Sequence, residues 1–365
     1  MTAPHANGED AATRRAPSWG QIGAGLAIGV VGGALFYVLT LPLPWMLGPM
    51  VLITVAALLR LPVAGPAKIR PYVIVVIGVM LGSGFSPALF DQVLAWALSL
   101  LGLGVYLALC GIVVVPYYRR VGGFDPVTAY FAGMPGGLTE MMLIGRDMGG
   151  DDRAIILAHA SRVMVTVAMI AIWFRIFLGV ELGDRSAFGT PFAEIPAVEL
   201  LVLAASGGVG FWLGRALRLP APTLLGPMLV SAAVHIAELT TSPPPQELVI
   251  AAQIVLGTII GARFVGAAPR AILRALALSV GGTILMLGIT LGFAALFHEV
   301  FGQSLLQVVL AYAPGGLAEM SLVALAMQAD IAYVASHHLV RITLVILFAP
   351  MVFAWIRRRG AAPPD

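Results

Sequence analysis

Cysteine, charge and aromatic rings are all scarce in this sequence. Cys110 is the one cysteine and lies inside an apolar run, so neither a disulfide framework nor a thiolate metal site can be built from the chain. Charged residues make up 11% and aromatic residues 8% of the 365 positions, whereas a soluble domain carries about 25% charged residues. An ordinary water-soluble domain is excluded. The six histidines, His5, His159, His235, His298, His337 and His338, show no chelating spacing backed by carboxylates, which speaks against copper or iron oxygenase chemistry. His337 and His338 are neighbours and diverge around a helix. A Gly-rich ATP-binding loop is absent, and the polar pieces are too short for a helix-turn-helix. Neither an enzyme, nor a metal or organic cofactor, nor direct nucleic-acid binding is expected.

What is present is apolar bulk with Gly and Pro. Hydrophobic residues make up 59% of the chain, with 42 Gly and 25 Pro, and the mean hydropathy is +0.96. Runs such as Leu98 to Val115 and Ala275 to Phe297 are long enough to cross a bilayer core of about 30 Å. The composition predicts an all-α polytopic membrane protein whose main partner is the lipid bilayer. The first 20 residues carry Glu9, Asp10, Arg14 and Arg15 and no small-residue cleavage site, so residues 1–18 read as a disordered cytosolic tail rather than a signal peptide.

The second half of the chain repeats the first. Pro135-Gly136-Gly137-Leu138-Thr139-Glu140-Met141 matches Pro314-Gly315-Gly316-Leu317-Ala318-Glu319-Met320 at an offset of 179. At the same offset Gly78 meets Gly257, Gly82 meets Gly261, His159 meets His338 and Arg162 meets Arg341. At 178, Pro44 to Met50 matches Pro222 to Met228. The reading is repeat 1 over 19–180, an extracytoplasmic linker over 181–196, repeat 2 over 197–356 and a cytosolic tail over 357–365. Repeat 1 is expected to hold segments Trp19–Leu39, Pro44–Leu59, Pro71–Phe85, Val93–Val115, a broken segment Pro126–Met148, and Ala154–Leu178. Repeat 2 is expected to hold Ala197–Leu217, Pro222–Leu239, Leu248–Phe264, Ile272–Phe297, a broken segment Leu305–Met327, and Ile331–Trp355.

Whether the broken segments cross the membrane decides the architecture, and the distribution of basic residues arbitrates. Five crossings and one re-entrant hairpin per half place 17 of the 21 Lys and Arg residues in the cytosol: Arg14, Arg15, Arg60, Lys68, Arg70, Arg119, Arg120, Arg146, Arg153, Arg215, Arg218, Arg263, Arg270, Arg274 and Arg357 to Arg359. Six crossings would put five of these on the wrong side. The prediction is ten spanning helices, two re-entrant hairpins, inverted repeats and both termini cytosolic.

The Pro-Gly-Gly turns are the strongest local signal. Asp125 and Ser304 suit N-caps, and Pro126 suits the first helical position. A half-helix of eight residues to Gly133 is about 12 Å long and cannot cross the core, and Met134-Pro135-Gly136-Gly137 then breaks it. Backbone groups freed at membrane depth are tolerated only against protein or a watery cavity. The second half-helix would point its amides into that cavity and favour an anion, as substrate sites of transporters do; a structural kink is the alternative. Glu140 and Glu319 lie one turn into the second half-helix, and Arg162 and Arg341 in the next span are their expected partners. An ionisable residue inside a membrane costs at least about 2.5–3.5 kcal/mol on insertion scales. Each Glu is read as a site for a coupling proton or sodium ion and each Arg as a ligand for a substrate anion, or the four form two pairs that only neutralise each other. His159 and His338, three residues before the arginines, face the same way and act as proton relays or packing residues. Gly78-x-x-x-Gly82 and Gly257-x-x-x-Gly261 read as helix-packing spacings.

These paired elements, Trp45-Met46-Leu47-Gly48-Pro49 and the two Pro-Gly-Gly-Leu-x-Glu-Met motifs, resemble the membrane AbrB family over about Gly20 to Trp355. That family comprises duplicated-domain bacterial proteins labelled ammonia monooxygenase or regulators of gene expression. The resemblance implies a bacterial inner-membrane protein. On the residues, the binding set is Pro135, Gly136, Gly137, Glu140, His159 and Arg162 with Pro314, Gly315, Gly316, Glu319, His338 and Arg341. The functional expectation is an ion-coupled secondary transporter of a small anionic or zwitterionic metabolite, with H+ or Na+ as coupling ion and self-association into a homo-oligomer as a further expectation. The rival reading is a membrane sensor that regulates gene expression indirectly and does not transport.

Overall fold

The computed structural model describes residues 16–41, 43–85, 93–177, 190–219, 221–327 and 329–360. Among them the chain is helical, with no strand. The first half gives α1 (Trp19–Val38), α2 (Pro44–Leu58), α3 (Arg70–Ser83), α4 (Val93–Arg120), α5 (Pro126–Gly133), α6 (Leu138–Asp147) and α7 (Asp152–Phe177). The second gives α8 (Ala197–Ala216), α9 (Pro222–Ile236), α10 (Gln246–Gly261), α11 (Pro269–Phe301), α12 (Leu305–Tyr312), α13 (Leu317–Ala326) and α14 (Ile331–Gly360). Seven of these, α1, α4, α7, α8, α10, α11 and α14, are long and apolar enough to cross a membrane. The protein is a multi-pass helical membrane protein.

Local chemistry explains most boundaries. Ser18 and Gln21 form a reciprocal capping box that starts α1 by satisfying amides the first turn leaves free. Pro occupies the first turn of α2, α5, α9 and α11, where its missing N–H costs nothing. Two expectations change. Helices α2, α3 and α9 have 15, 14 and 15 residues, about 21–23 Å at 1.5 Å per residue. Of the ten expected crossings, seven are long enough to span by themselves and α2, α3 and α9 are shorter. Helix α14 runs to Gly360, past the point at 357 where a tail was expected. Residues 1–15, 178–189 and 361–365, which hold most of both tails and of the linker, lie outside the described residues.

Contacts between helix ends fix the direction of every span. On one side, here the near face, the Ala64 amide after α2 donates to Gln21 at the start of α1 (3.0 Å), and Arg274 at the start of α11 donates to the Gly122 carbonyl after α4 (2.6 Å). The end of α2, the start of α7 and the α10–α11 connection meet there too. On the far face, Thr240 after α9 donates to Glu199 at the start of α8 (2.8 Å). The Phe192 amide donates to Glu247 at the start of α10 (3.0 Å). Tyr333 at the start of α14 donates to Gln303 after α11 (2.8 Å). Consequently α1, α3, α7, α9 and α11 run from near to far, and α2, α4, α8, α10 and α14 from far to near. Each helix runs opposite to its counterpart 178–179 residues away, so the repeats are inverted. The start of α1 and the end of α14 share the near face.

Glycine lets the repeats close. A Cβ on Gly32 would lie 2.5 Å from the Gly48 carbonyl oxygen, and Gly210 and Gly226 make the same backbone crossing in the second half. Gly78 lies on Leu224 of α9, and its counterpart Gly257 lies on Met46 of α2. The small-residue spacing read from the sequence therefore packs one repeat against the other.

Candidate functional site

Both broken segments are re-entrant. The Asp125 carboxylate accepts from the Val127 and Thr128 amides (3.0 Å each) and caps α5. Ser304 holds the equivalent place before α12, but its side chain makes no capping bond. After α6 the chain returns to its point of entry, where the Asp151 amide donates to the Thr128 hydroxyl (2.8 Å). The second hairpin enters from the far face and returns there beside Gln303. The breaks themselves are extended, with Met134 at φ −74°, ψ 132° and Gly137 at φ −67°, ψ 137°. Ala313 and Gly316 adopt the same conformations in the second break. Breaking the helix there frees carbonyl groups at membrane depth, and each needs a donor.

The donors are the two arginines. Arg162, 3% exposed, donates to the carbonyls of Met134 (2.9 Å) and Gly136 (3.3 Å) and, across the repeat boundary, to that of Pro314 (3.1 Å). Arg341, 2% exposed, donates to the carbonyls of Ala313 and Gly315. Each guanidinium also donates to Nδ1 of the histidine one turn back, Arg162 to His159 and Arg341 to His338 (3.0 Å each). With Nδ1 accepting, each ring carries its proton on Nε2 and donates to the first half-helix, at Phe131 (2.8 Å) and Leu310 (2.9 Å). Arginine and histidine together clamp the break to the following span. Both nitrogens of both rings are occupied, so in this conformation each histidine links the arginine to the first half-helix.

The Glu–Arg pairing expected from the sequence is not formed. Among the described residues the one side-chain ion pair joins the neighbours Arg146 and Asp147. The physical reason is demand: the freed carbonyls take the guanidinium donors. Glu140 and Glu319 instead fold back over the starts of their own half-helices. A Cβ on Gly137 would collide with the Glu140 carboxylate, and one on Gly316 with the Glu319 carboxylate. Each carboxylate thus lies at the start of its half-helix, where the helix dipole favours negative charge. Pro135, Pro314 and Gly315 are buried, while Gly136, Gly137, Glu140, Gly316 and Glu319 are partly exposed. All twelve residues read from the sequence lie in or against the two turns, and the Arg162–Pro314 bond joins one turn to the other.

Sequence reading missed several polar groups. Tyr106 of α4 is fully buried with a hydroxyl that has no partner, and the Nε of Arg341 is likewise unpartnered. Ser99 of α4 meets His337 (2.9 Å) and accepts from Tyr312 through its backbone carbonyl. His337 and His338 do diverge, one to α4 and one to the clamp. Tyr106 and Ser99 sit singly in an apolar run whose repeat counterparts are Leu285 and Leu278, so no periodicity marks them.

Inverted repeats, each with a clamped and broken re-entrant hairpin, define a class of polytopic membrane protein built around two central turns. The chain belongs to the AbrB family: the family model described as "Transition state regulatory protein AbrB" matches residues 45–357. "Putative regulator AbrB" of Escherichia coli (strain K12) is 25% identical over 327 residues, covering 88% of this chain and 92% of that protein. "Uncharacterized protein YhjN" of Bacillus subtilis (strain 168) is 28% identical over 248 residues. That match takes in 63% of this chain and spans 64% of the length of the relative.

Proposed function

We propose that this protein is an ion-coupled secondary transporter of a small anionic or zwitterionic metabolite, working by alternating access between its inverted halves. One observation carries the reading: at each break a carboxylate without an ionic partner, Glu140 or Glu319, lies over the N-cap glycine of the half-helix, and a buried guanidinium holds the carbonyl of the residue just before that glycine. A substrate carboxylate or phosphate competes with that glutamate for the same helix start. Binding of H+ or Na+ neutralises the glutamate and releases the N-terminus, which ties the coupling ion to the anion. The concentration of basic residues on the near face supports a cytosolic near face in a bacterial inner membrane.

The test is charge movement by purified protein on a solid-supported membrane with pooled organic acids and amino acids, paired with a pH dye inside vesicles to register electroneutral carriage. A pH- or sodium-dependent signal in the parent, absent from the Glu140→Gln, Glu319→Gln variant at equal insertion, is the expected result. No signal from any pool by either readout overturns the proposal. It would favour a membrane regulator acting indirectly, the reading that the family description and the name of the Escherichia coli relative support.

A further inference from the structure

Away from the two turns, a cavity of about 530 Å³ opens on the near face where the repeats meet. Its walls are the end of α2 (Ala57, Arg60 and Leu61), the start of α7 (Arg153) and the connection 265–268 that leads into α11. Among the described residues, the only charged residues lining it are Arg60 and Arg153. Arg153 donates to the Gly266 carbonyl, which holds its guanidinium at the rim. Gly266 takes φ +78°, open to glycine without strain. The Arg60 side chain has no hydrogen-bond or ion-pair partner among the described residues. Helix α11, 33 residues long, starts at this cavity behind Ala268, which offers no side-chain cap.

We infer that this cavity binds a phosphate group, carried by a lipid headgroup or by a soluble phosphate ester. Two guanidiniums supply forked donors for phosphate oxygens, and an uncapped helix start adds a favourable dipole. A volume of this size exceeds a bare phosphate and admits the glycerol part of an ester, against which Ala57 and Leu61 offer apolar surface. Basic pockets between helices are where anionic headgroups lodge. The repeat does not demand these residues: the counterparts of Arg60 and Arg153 are Glu238 and Ala332. The inference is independent of transport.

The test uses the full-length protein, native mass spectrometry and thermal stability, with phosphatidylglycerol, phosphatidylcholine, glycerol 3-phosphate and inorganic phosphate as probes. Arg60→Gln removes one donor, and Leu61→Glu puts a carboxylate into the cavity without touching the Arg153–Gly266 bond. Selective retention of phosphatidylglycerol, weakened about tenfold in either variant, supports the site with lipid as its source. Stabilisation by glycerol 3-phosphate or phosphate, lost in both variants without lipid selectivity, supports it with a soluble source. Retention of none of the phosphate-bearing probes, or binding that is equal in parent and variants, overturns it.

Discussion

The two re-entrant hairpins carry the same motif and sit in different surroundings. Of the ten residues of α6, only Met141 and Gly145 are buried, whereas Leu317, Met320, Ser321, Leu322, Val323 and Ala324 of α13 are all buried. Thr139 is exposed and its counterpart Ala318 is half-buried. The clamps differ in the same sense. Arg162 reaches over to Pro314, while the Nε of Arg341, which by symmetry would reach Pro135, has no partner. Two near-identical stretches thus define one open and one enclosed environment. Under the proposed cycle the halves exchange these environments, with the cross-link passing from Arg162–Pro314 to Arg341–Pro135.

The comparison can be broken by experiment, and the largest effect is expected at the arginines. Arg162→Met removes donors from three carbonyls and one histidine, and is predicted to cost at least about 3 kcal/mol, at about 1–3 kcal/mol for each buried acceptor left unsatisfied. Arg341→Met is predicted to cost less, because one of its donors is already idle. Melting temperatures of the two variants in detergent decide it, and equal losses would remove the asymmetry from the argument.

Next in size are the N-cap glycines. Gly137→Ala and Gly316→Ala displace a flexible glutamate carboxylate and put a poorer residue at the N-cap, with a predicted cost of about 1 kcal/mol each. The loss should be greater for Gly316→Ala, since the enclosed α13 has less room to shift than α6. A thermal shift series reversed in order would show that the two pockets yield alike.

Labelling tests the same contrast without destabilising the fold. In a Cys110→Ser background, a cysteine at Thr139 should react with a membrane-impermeant maleimide from the face where Arg60 lies, and faster than one at Ala318. A cysteine at Pro245 should react from the opposite face. Labelling of both Arg60 and Pro245 positions from one side would contradict the inverted repeat.

The smallest effects separate the hairpin entrances. Asp125→Ala removes a cap bonded to two amides and should cost about 1 kcal/mol. Ser304→Ala removes a side chain that caps nothing and should leave the melting temperature unchanged.

Much of the architecture is legible in the order of the residues alone. The duplicated Pro-Gly-Gly-Leu-x-Glu-Met motif, the glycine spacings and the placement of arginines at loop ends determine two inverted halves with re-entrant breaks. Each of those features answers to a local or bilayer constraint: proline and glycine cannot continue a helix, and basic residues partition by side. The twelve residues read from the sequence gather at the two turns, because the helix-breaking motif and the Arg and His residues that hold its carbonyls recur together in both halves.

Only the tertiary structure decided what those residues hold. A helix pattern places Glu140 and Arg162 in neighbouring segments, but the partner of each is set by competition. Carbonyls freed by the break lie closer to the guanidinium than the carboxylate does, and the glutamate finds its own helix start first. Nor does the repeat foretell the difference between α6 and α13, or the cavity at Arg60 and Arg153. Both arise from how unlike neighbours pack around like elements, and that is a property of the assembled fold rather than of any segment read alone.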